Sequence, residues 1–259
     1  MDKIIVGNWK MYPTLSDSSV LTSSLHNSLE TIHGAEVIIA PPTVWLMHVI
    51  ENWKHRVSHV KFAAQNIWPD DQGAFTGETS AYLLKDIVSH VIIGHSERRR
   101  YQLEDNDLIR EKVQACLKWH IKPILCVGET KKVLNGDKVD THQWEKLAEQ
   151  LEEGLSGVSK AALENVLIAY EPVWAIGTQN PATPEYTVEV IKRMREILAK
   201  KYSQEAAETV PILYGGSVSA GNCSDFLRET EIAGLLIGGV SVKAKEFSEI
   251  CQIASRVGR

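Results

Sequence analysis

Three ionisable residues each follow a short apolar run of the chain and have side chains suited to acid–base chemistry. Lys10 follows the first such run, His95 the fourth and Glu171 the sixth. A carboxylate can take a proton from carbon, an imidazole can hydrogen-bond an oxygen, and a lysine supplies fixed positive charge. Each also has an ordinary structural interpretation, as a surface charge, a hydrogen-bonded strand end or a salt-bridge partner. Only a fold that brings the three together favours catalysis.

Two glycine pairs follow the last two apolar runs, as YGGSV at 214–218 and IGGVS at 237–241. Glycine lets backbone N–H groups approach an anion closely because there is no Cβ in the way. Each pair alone could be a tight turn. Their position after the seventh and eighth runs favours a phosphate site at Gly238, Gly239 and Ser217.

The elements that would position these groups are eight short runs, nearly all apolar and rich in Val, Ile and Leu. Such runs are typical of parallel strands that are buried on both faces. They lie at 4–6, 37–40, 60–64, 91–93, 124–127, 166–170, 212–214 and 235–237. Helical spacing predicts helices at 43–53, 107–119 and 184–195, the last with Thr183 as its N-cap.

The order of these elements predicts a (β/α)8 barrel that forms a single domain over 1–259. Successive runs start between 23 and 46 residues apart, which leaves room for a helix and two loops each time. An open doubly wound sheet is the competing fold, but GNWK at 7–10 stands where a dinucleotide-binding glycine motif would be expected. We expect the most loop-like stretch, 135–140, only to lengthen one helical region.

Composition and charge exclude several classes of protein. The 28 Lys and Arg against 33 Asp and Glu give a net charge of −5, and the basic residues are scattered. This argues against an extended surface for nucleic acid or an anionic membrane. No apolar stretch is long enough to span a bilayer, and the first strand starts too early for a secretion signal to precede it. We therefore expect a cytoplasmic protein.

The cysteines and histidines do not predict a metal or cofactor site. The four cysteines form no C-x-x-C pair and lie in apolar surroundings, so we expect reduced, buried thiols. They are Cys116, Cys126, Cys223 and Cys251. His55 and His59 are four residues apart, but no third ligand stands at suitable spacing. We expect neither a metal nor an organic cofactor.

At this point a set of motifs resembles, in order, those of the triosephosphate isomerase family, from about residue 4 to 253. The motifs are GNWKM (7–11), AQN (64–66), GAFTGE (73–78), IGHSERR (93–99), PILCVGE (123–129), YEPVWAIGT (170–178), YGGS (214–217) and GG (238–239). The resemblance implies interconversion of dihydroxyacetone phosphate and D-glyceraldehyde 3-phosphate through an enediolate, as in glycolysis and gluconeogenesis.

The resemblance also implies roles for individual residues. Glu171 matches the family's base, and His95 its electrophile, kept neutral by the helix start at 96–98. Lys10 would supply positive charge, with Asn8 orienting from the same loop. Further supporting residues of the matching motifs are Glu97, Cys126, Tyr214 and Thr76. Glu97 would anchor Lys10, although a plain helix-start carboxylate is an equal alternative.

In the family the loop after the base closes over substrate, which here implies a lid segment at 172–182. The N–H of Gly177 would hold phosphate, Tyr214 and Ser217 would contact the closed segment, and Glu129 would hold Trp174. Gln179-Asn180-Pro181 departs from the family, which usually has Gly and often Lys there. Because proline fixes φ and restricts the residue before it, we expect a stiffer second hinge.

The loop at 65–78 carries the apolar residues Trp68 and Phe75, which suggests a partner surface. In the family this loop enters the other subunit, so that Thr76 would approach Asn8 and Lys10 of the partner subunit. The resemblance thus implies a homodimer.

Three rival functions remain open from the residues. One is the same isomerisation of a longer ketose phosphate, such as a tetrulose phosphate. Another is a non-catalytic phosphate-binding barrel, which loss of Glu171 or Lys10 would have favoured. A barrel aldolase fits less well, because it needs a Schiff-base lysine where this chain has Ile168 and Ala169.

Overall fold

The computed structural model describes residues 2–54, 60–136, 138–178 and 181–258. The strands are β1 (Lys3–Asn8), β2 (Ala35–Ala40), β3 (Lys61–Ala64), β4 (His90–Ile93), β5 (Lys122–Val127), β6 (Leu134–Asn135), β7 (Lys138–Val139), β8 (Leu167–Tyr170), β9 (Ile212–Tyr214) and β10 (Gly234–Ile237). The α-helices are α1 (Leu15–Leu29), α2 (Leu46–Lys54), α3 (Ala81–Leu84), α4 (Ser96–Tyr101), α5 (Asn106–Lys118), α6 (Thr141–Gly154), α7 (Lys160–Leu163), α8 (Pro184–Lys201), α9 (Gln204–Thr209), α10 (Cys223–Leu227) and α11 (Ala244–Val257).

Strands β1 to β5 and β8 to β10 are parallel neighbours in chain order and close into a barrel, with β10 pairing back to β1. The eight apolar runs of the sequence are these eight strands. The predicted barrel is therefore confirmed, and the open sheet is wrong because β10 pairs with β1, so that none of these eight strands is an edge strand.

The pleat of each strand divides the core into two parts. Side chains such as Ile4 and Val6 pack inside the barrel, whereas Ile5 between them packs outward against the helices. Because successive residues of a strand point to opposite faces, both faces are buried only if nearly every residue is apolar. This is the physical reason for the continuous apolar runs.

The predicted helices are present with shifted bounds. Thr183 caps α8 by accepting from the N–H of Tyr186, but the helix runs on to Lys201. The 43–53 region is a 3-10 turn, Thr43–Trp45, followed by α2. The stretch 135–140 was expected only to lengthen a helical region, and this is wrong. It contributes to an antiparallel hairpin of β6 and β7, for which Gly136 adopts a positive φ of 60°.

The four cysteines are buried and unpaired, as expected. No group of three His, Cys, Asp or Glu side chains that could hold a metal lies within the described ranges. His55 and His59 fall outside them. Among the helices described, none has the length and apolar character needed to cross a membrane.

Candidate active site

The carboxyl ends of the barrel strands surround a cavity of about 540 Å³. The structure brings Lys10, His95 and Glu171 together there, on the loops after β1, β4 and β8. The glycines of the two pairs, with Ser217 and Gly177, line the same cavity. Three ionisable side chains from residues far apart in sequence thus share one cavity with these glycines.

Glu171 and His95 are in direct contact at the centre of the site. His95 Nε2 lies 3.0 Å from Glu171 Oε1, and the N–H of Ser96 donates to Glu171 Oε2 over 2.9 Å. Burial raises the pKa of Glu171, but contact with His95 and the Ser96 N–H outweighs it and lowers the pKa below its ordinary value. These contacts therefore hold Glu171 as a carboxylate.

The proton of His95 is placed by the start of α4. His95 is the N-cap of this helix, and its Nδ1 accepts the N–H of Glu97 over 3.2 Å. Burial lowers the pKa of His95, but the carboxylate of Glu171 outweighs it and raises the pKa above its ordinary value. In this contact the charge of Glu171 therefore opposes the neutral form that the helix start was expected to favour. Because a proton on Nδ1 would face the Glu97 donor, the neutral ring carries its proton on Nε2, directed at Glu171.

Lys10 is held from two sides in a strained backbone conformation. Its φ is +50°, which is uncommon for a residue other than glycine. Its backbone N–H donates to Asn8 Oδ1 over 3.0 Å, and Nζ lies 2.5 Å from Glu97 Oε1. Gln65 donates to the carbonyls of Lys10 and Ala40 over 3.0 and 2.9 Å. These contacts fix the ammonium at the cavity wall.

Two glycines allow the backbone to approach these groups. A Cβ on Gly215 would lie 2.9 Å from Glu171 Cγ, closer than such contacts occur. Gly177, in the first half of the lid segment, has a φ of +67° that other residues adopt only with strain. Replacing either would displace the base or the segment beside it.

The lid segment makes contacts at both of its described parts. Ser217 Oγ donates to the carbonyl of Ala175 over 2.7 Å, and Trp174 Nε1 donates to Glu129 Oε1 over 2.8 Å. Burial raises the pKa of Tyr214, and the backbone of Ala182 is near enough to oppose this. The buried hydroxyl of Tyr214 has no hydrogen-bond partner within hydrogen-bonding geometry in the part of the chain described. Gln179 and Asn180 lie outside it.

None of the four expected supporting residues, Glu97, Cys126, Tyr214 and Thr76, lines the 540 Å³ cavity. Thr76 is exposed on the long loop after β3, away from the lining of this chain's own cavity. Cys126 is buried, and its carbonyl accepts from Arg99 over 3.1 Å. Phe75 is exposed, as expected, whereas Trp68 is only half-buried and packs on Phe75 with ring centroids 5.2 Å apart.

Sequence reasoning missed several polar residues behind the site. The motifs that contain Gln65 and Arg99 do not predict their contacts, among them the bond that Arg99 donates to the carbonyl of Gly94 over 2.9 Å. Tyr170 and Tyr186 were not linked to Glu129, although both donate to it. Polar side chains next to the strand ends were the available signal.

The fold and the site together define a (β/α)8-barrel enzyme with a carboxylate–imidazole pair beside a glycine-lined cavity. Comparison with known proteins identifies the family. The family model described as triosephosphate isomerase matches residues 3–254. The chain belongs to the triosephosphate isomerase family.

Relatives named triosephosphate isomerase match along nearly their whole length. That of Fusobacterium nucleatum subsp. nucleatum is 41% identical over 95% of this chain and 96% of its own. That of Dehalococcoides mccartyi is 42% identical over 97% of this chain and 96% of its own. That of Caldanaerobacter subterraneus subsp. tengcongensis is 42% identical over 95% of this chain and 97% of its own.

Proposed function

We propose that this enzyme interconverts dihydroxyacetone phosphate and D-glyceraldehyde 3-phosphate by proton transfer through an enediolate, a reaction of glycolysis and gluconeogenesis. The observation that carries the proposal is the 3.0 Å contact of Glu171 with His95 Nε2, beside Lys10 and the glycine-lined cavity. This arrangement supports an aldose–ketose isomerisation, which requires a base, a hydrogen-bond donor and a cation around one small volume.

Glu171 is the base that removes a proton from the carbon next to the carbonyl and returns it to the neighbouring carbon. Its pKa is lowered by contacts with His95 and Ser96, whereas burial alone would raise it. A substrate oxygen that takes over the His95 donor leaves burial as the stronger influence. The carboxylate then becomes more basic when substrate is bound.

His95 donates its Nε2 proton as a hydrogen bond to the substrate oxygens, and Lys10 stabilises the negative charge that develops on them. Asn8 and Glu97 support Lys10. The N–H groups of Gly177, Ser217, Gly238 and Gly239 hold the phosphate, since glycine permits close approach. The proposed chemistry uses no metal and no organic cofactor.

Closure of the lid segment excludes water from the enediolate, which would otherwise eliminate phosphate. The contact of Ser217 with Ala175 and that of Trp174 with Glu129 support this role.

We further propose that the active form is a homodimer. A second cavity of about 570 Å³ lies beside the first, with Lys10 and His95 on its wall, and it could receive the 65–78 loop of a second copy with Thr76 at its tip. Phe75 on that loop is 39% exposed and apolar, which favours burial by a partner. A fully active monomer in sedimentation at micromolar concentration would contradict this.

The four buried free thiols are compatible with a reducing compartment, and we place the enzyme in the cytoplasm.

A coupled assay tests the activity. The protein is given D-glyceraldehyde 3-phosphate in one arm and a tetrulose phosphate in the other. We expect rapid turnover with the triose and little with the tetrulose. Preference for the tetrulose would identify the longer ketose phosphate as substrate, and inactivity towards both would support the non-catalytic alternative.

A further inference from the structure

Trp174, in the first half of the lid segment, is held from three directions. Its Nε1 donates to Glu129. The ring of Tyr186 meets it edge-on, with centroids 5.4 Å apart and planes at 86°. The ammonium of Lys132 lies 4.8 Å from its ring centroid. Two of these groups come from the loop after β5, and one comes from α8, the helix that follows the lid segment.

Tyr186 links the parts of this arrangement. Its hydroxyl donates to Glu129 Oε1 over 3.1 Å and accepts from the backbone N–H of Val133 over 2.9 Å. Its own backbone is fixed by Thr183, the N-cap of α8. The first turn of α8 therefore reaches back across the lid segment and holds the carboxylate that holds Trp174.

Glu129 depends on all of its donors. Tyr170, Trp174 and Tyr186 converge on Oε1, whereas Oε2 is buried without a hydrogen-bond partner in the described part of the chain. Burial raises the pKa of Glu129, and the three donors oppose this. Removing one donor therefore makes the charged form of Glu129 less stable, and this weakens the hydrogen bonds of the two remaining donors.

We propose that Tyr186 is a positioning residue for the lid segment, whose hydroxyl and ring orient Glu129 and Trp174 and so control the closure that keeps water from the bound intermediate. The proposal rests on the proposed function. Tyr186 does not line the 540 Å³ cavity, so it acts through Trp174 and not on the substrate. It comes from α8, whereas Glu129 and Tyr170 belong to the barrel strands or their ends.

The test compares Tyr186→Phe, which removes the hydroxyl, with Tyr186→Leu, which also removes the ring. The matched control is Tyr202→Phe, just beyond the other end of α8. Tyr202 is also half-buried, and its hydroxyl donates to the carbonyl of Leu155 over 3.1 Å. Burial raises the pKa of both tyrosines to about 12. The two Phe variants thus remove similar hydroxyls, one next to the lid segment and one far from it.

The measurements are kcat and KM for isomerisation, inorganic phosphate released per turnover, and Tm. We expect Tyr186→Phe to lower kcat and raise the phosphate released per turnover, each by about twofold to tenfold, the worth of one hydrogen bond. KM should change less. Tyr186→Leu should show larger effects, and Tyr186→Gln, which restores a donor, should recover part of the loss. Tyr202→Phe should shift only Tm.

The proposal is overturned if Tyr186→Phe leaves kcat and phosphate release at wild-type values, or if it lowers Tm alone, as the control does. A wild-type protein without isomerase activity would instead contradict the proposed function, so the two failures are distinguishable. If Tyr186→Leu fails to fold, the Phe and Gln variants still decide the outcome.

Discussion

The two ends of the barrel carry the same types of charged side chain in different surroundings. Lys3 at the amino end of β1 donates to the carbonyls of Glu229 and Ile232 over 3.0 and 2.6 Å. Lys10, just past the carboxyl end of the same strand, reaches the cavity and pairs with Glu97. Lys3 thus satisfies backbone carbonyls at the amino end of the barrel, whereas Lys10 faces the cavity at the carboxyl end.

Strand β4 makes the same comparison with histidines. His90 begins the strand and His95 follows it, and the two are 1% and 7% exposed. Burial lowers the pKa of His90, and Lys61 and Lys122 lower it further, to about 3. For His95 the carboxylate of Glu171 outweighs burial and raises the pKa. Since burial is similar, the neighbouring charges decide the direction. Lys3 at the amino end bonds to backbone carbonyls, whereas Lys10 and His95 at the carboxyl end line the cavity.

The largest expected effect is on kcat/KM, when a carboxylate at the carboxyl end of the barrel is compared with one at the amino end. Glu171→Gln removes the base, and we expect kcat/KM to fall by about 10²- to 10⁴-fold. The control is Glu36→Gln, which removes a carboxylate of β2 at the amino end that pairs with Lys61 over 2.8 Å. It should leave kcat/KM within about twofold, because an exposed ion pair contributes little. Wild-type turnover in Glu171→Gln would make the base assignment wrong.

The two lysines of β1 give the next largest effect. Lys10→Met should lower kcat/KM by about 10²- to 10³-fold, since a fixed charge that stabilises the transition state is lost. Lys3→Met should leave activity unchanged but cost about 1–3 kcal/mol of unfolding free energy, because two carbonyls lose their donor. Steady-state kinetics and urea unfolding of both variants measure this. An inactive Lys3→Met protein that is folded would remove the distinction between the two ends.

The third prediction concerns the pH dependence of stability. His90 stays neutral in the fold down to about pH 3, whereas the unfolded residue takes up a proton near 6.5. The contribution of the neutral His90 to the free energy of unfolding is therefore complete above pH 6.5, and it is lost progressively as the pH falls towards 3. Between pH 6.5 and 5 the loss is about 2 kcal/mol.

His90→Gln should show a correspondingly flatter pH dependence in urea unfolding at pH 7.5, 6 and 5. His90 faces Ser89, 2.8 Å from Nδ1, and Glu36, 3.9 Å from Nε2, together with the charges of Lys61 and Lys122. His142→Gln, on the exposed first turn of α6, should keep the wild-type slope. An unchanged slope in His90→Gln would show that other groups dominate.

The smallest expected effect lies in the second hinge of the lid segment. Replacing Gln179, Asn180 and Pro181 by Gly, Lys and Thr should relax the restriction that proline imposes on φ. We expect a change of about twofold to threefold in kcat, together with an altered dependence of kcat on viscosity, because lid motion often limits turnover. Unchanged turnover and viscosity dependence would remove the idea of a stiff hinge.

The barrel could be predicted because its signal is local. A few successive apolar residues predict each strand. The start of α8 is predicted by Thr183, a side chain suited to an N-cap, followed by Pro184 at the first helical position. The hairpin of β6 and β7 could not be predicted in this way. It has only two residues in each strand and a single turn glycine, Gly136, so no periodicity develops.

The residues placed at the site could be predicted because the carboxyl ends of parallel strands meet on one rim. Lys10, His95 and Glu171 each follow a strand by position alone. The contacts of Gln65, Arg99 and Tyr186 could not be predicted, because each residue has a partner that is distant in sequence. Gln65 contacts Ala40, Arg99 contacts Cys126 and Tyr186 contacts Glu129.

The sequence by itself determined the eight buried strands, the helices between them and the residue types that follow each strand, because these depend on hydrophobic periodicity and position along the chain. The pairing of β10 with β1, which closes the barrel, came from the tertiary structure. The tertiary structure decided which atoms meet. The acceptance of the Glu97 N–H by His95 Nδ1 and the convergence of three donors on Glu129 depend on side-chain directions at hydrogen-bond distance. Such distances follow only from the packing of the whole barrel, since a shift of about 1 Å breaks a hydrogen bond and leaves the sequence pattern unchanged.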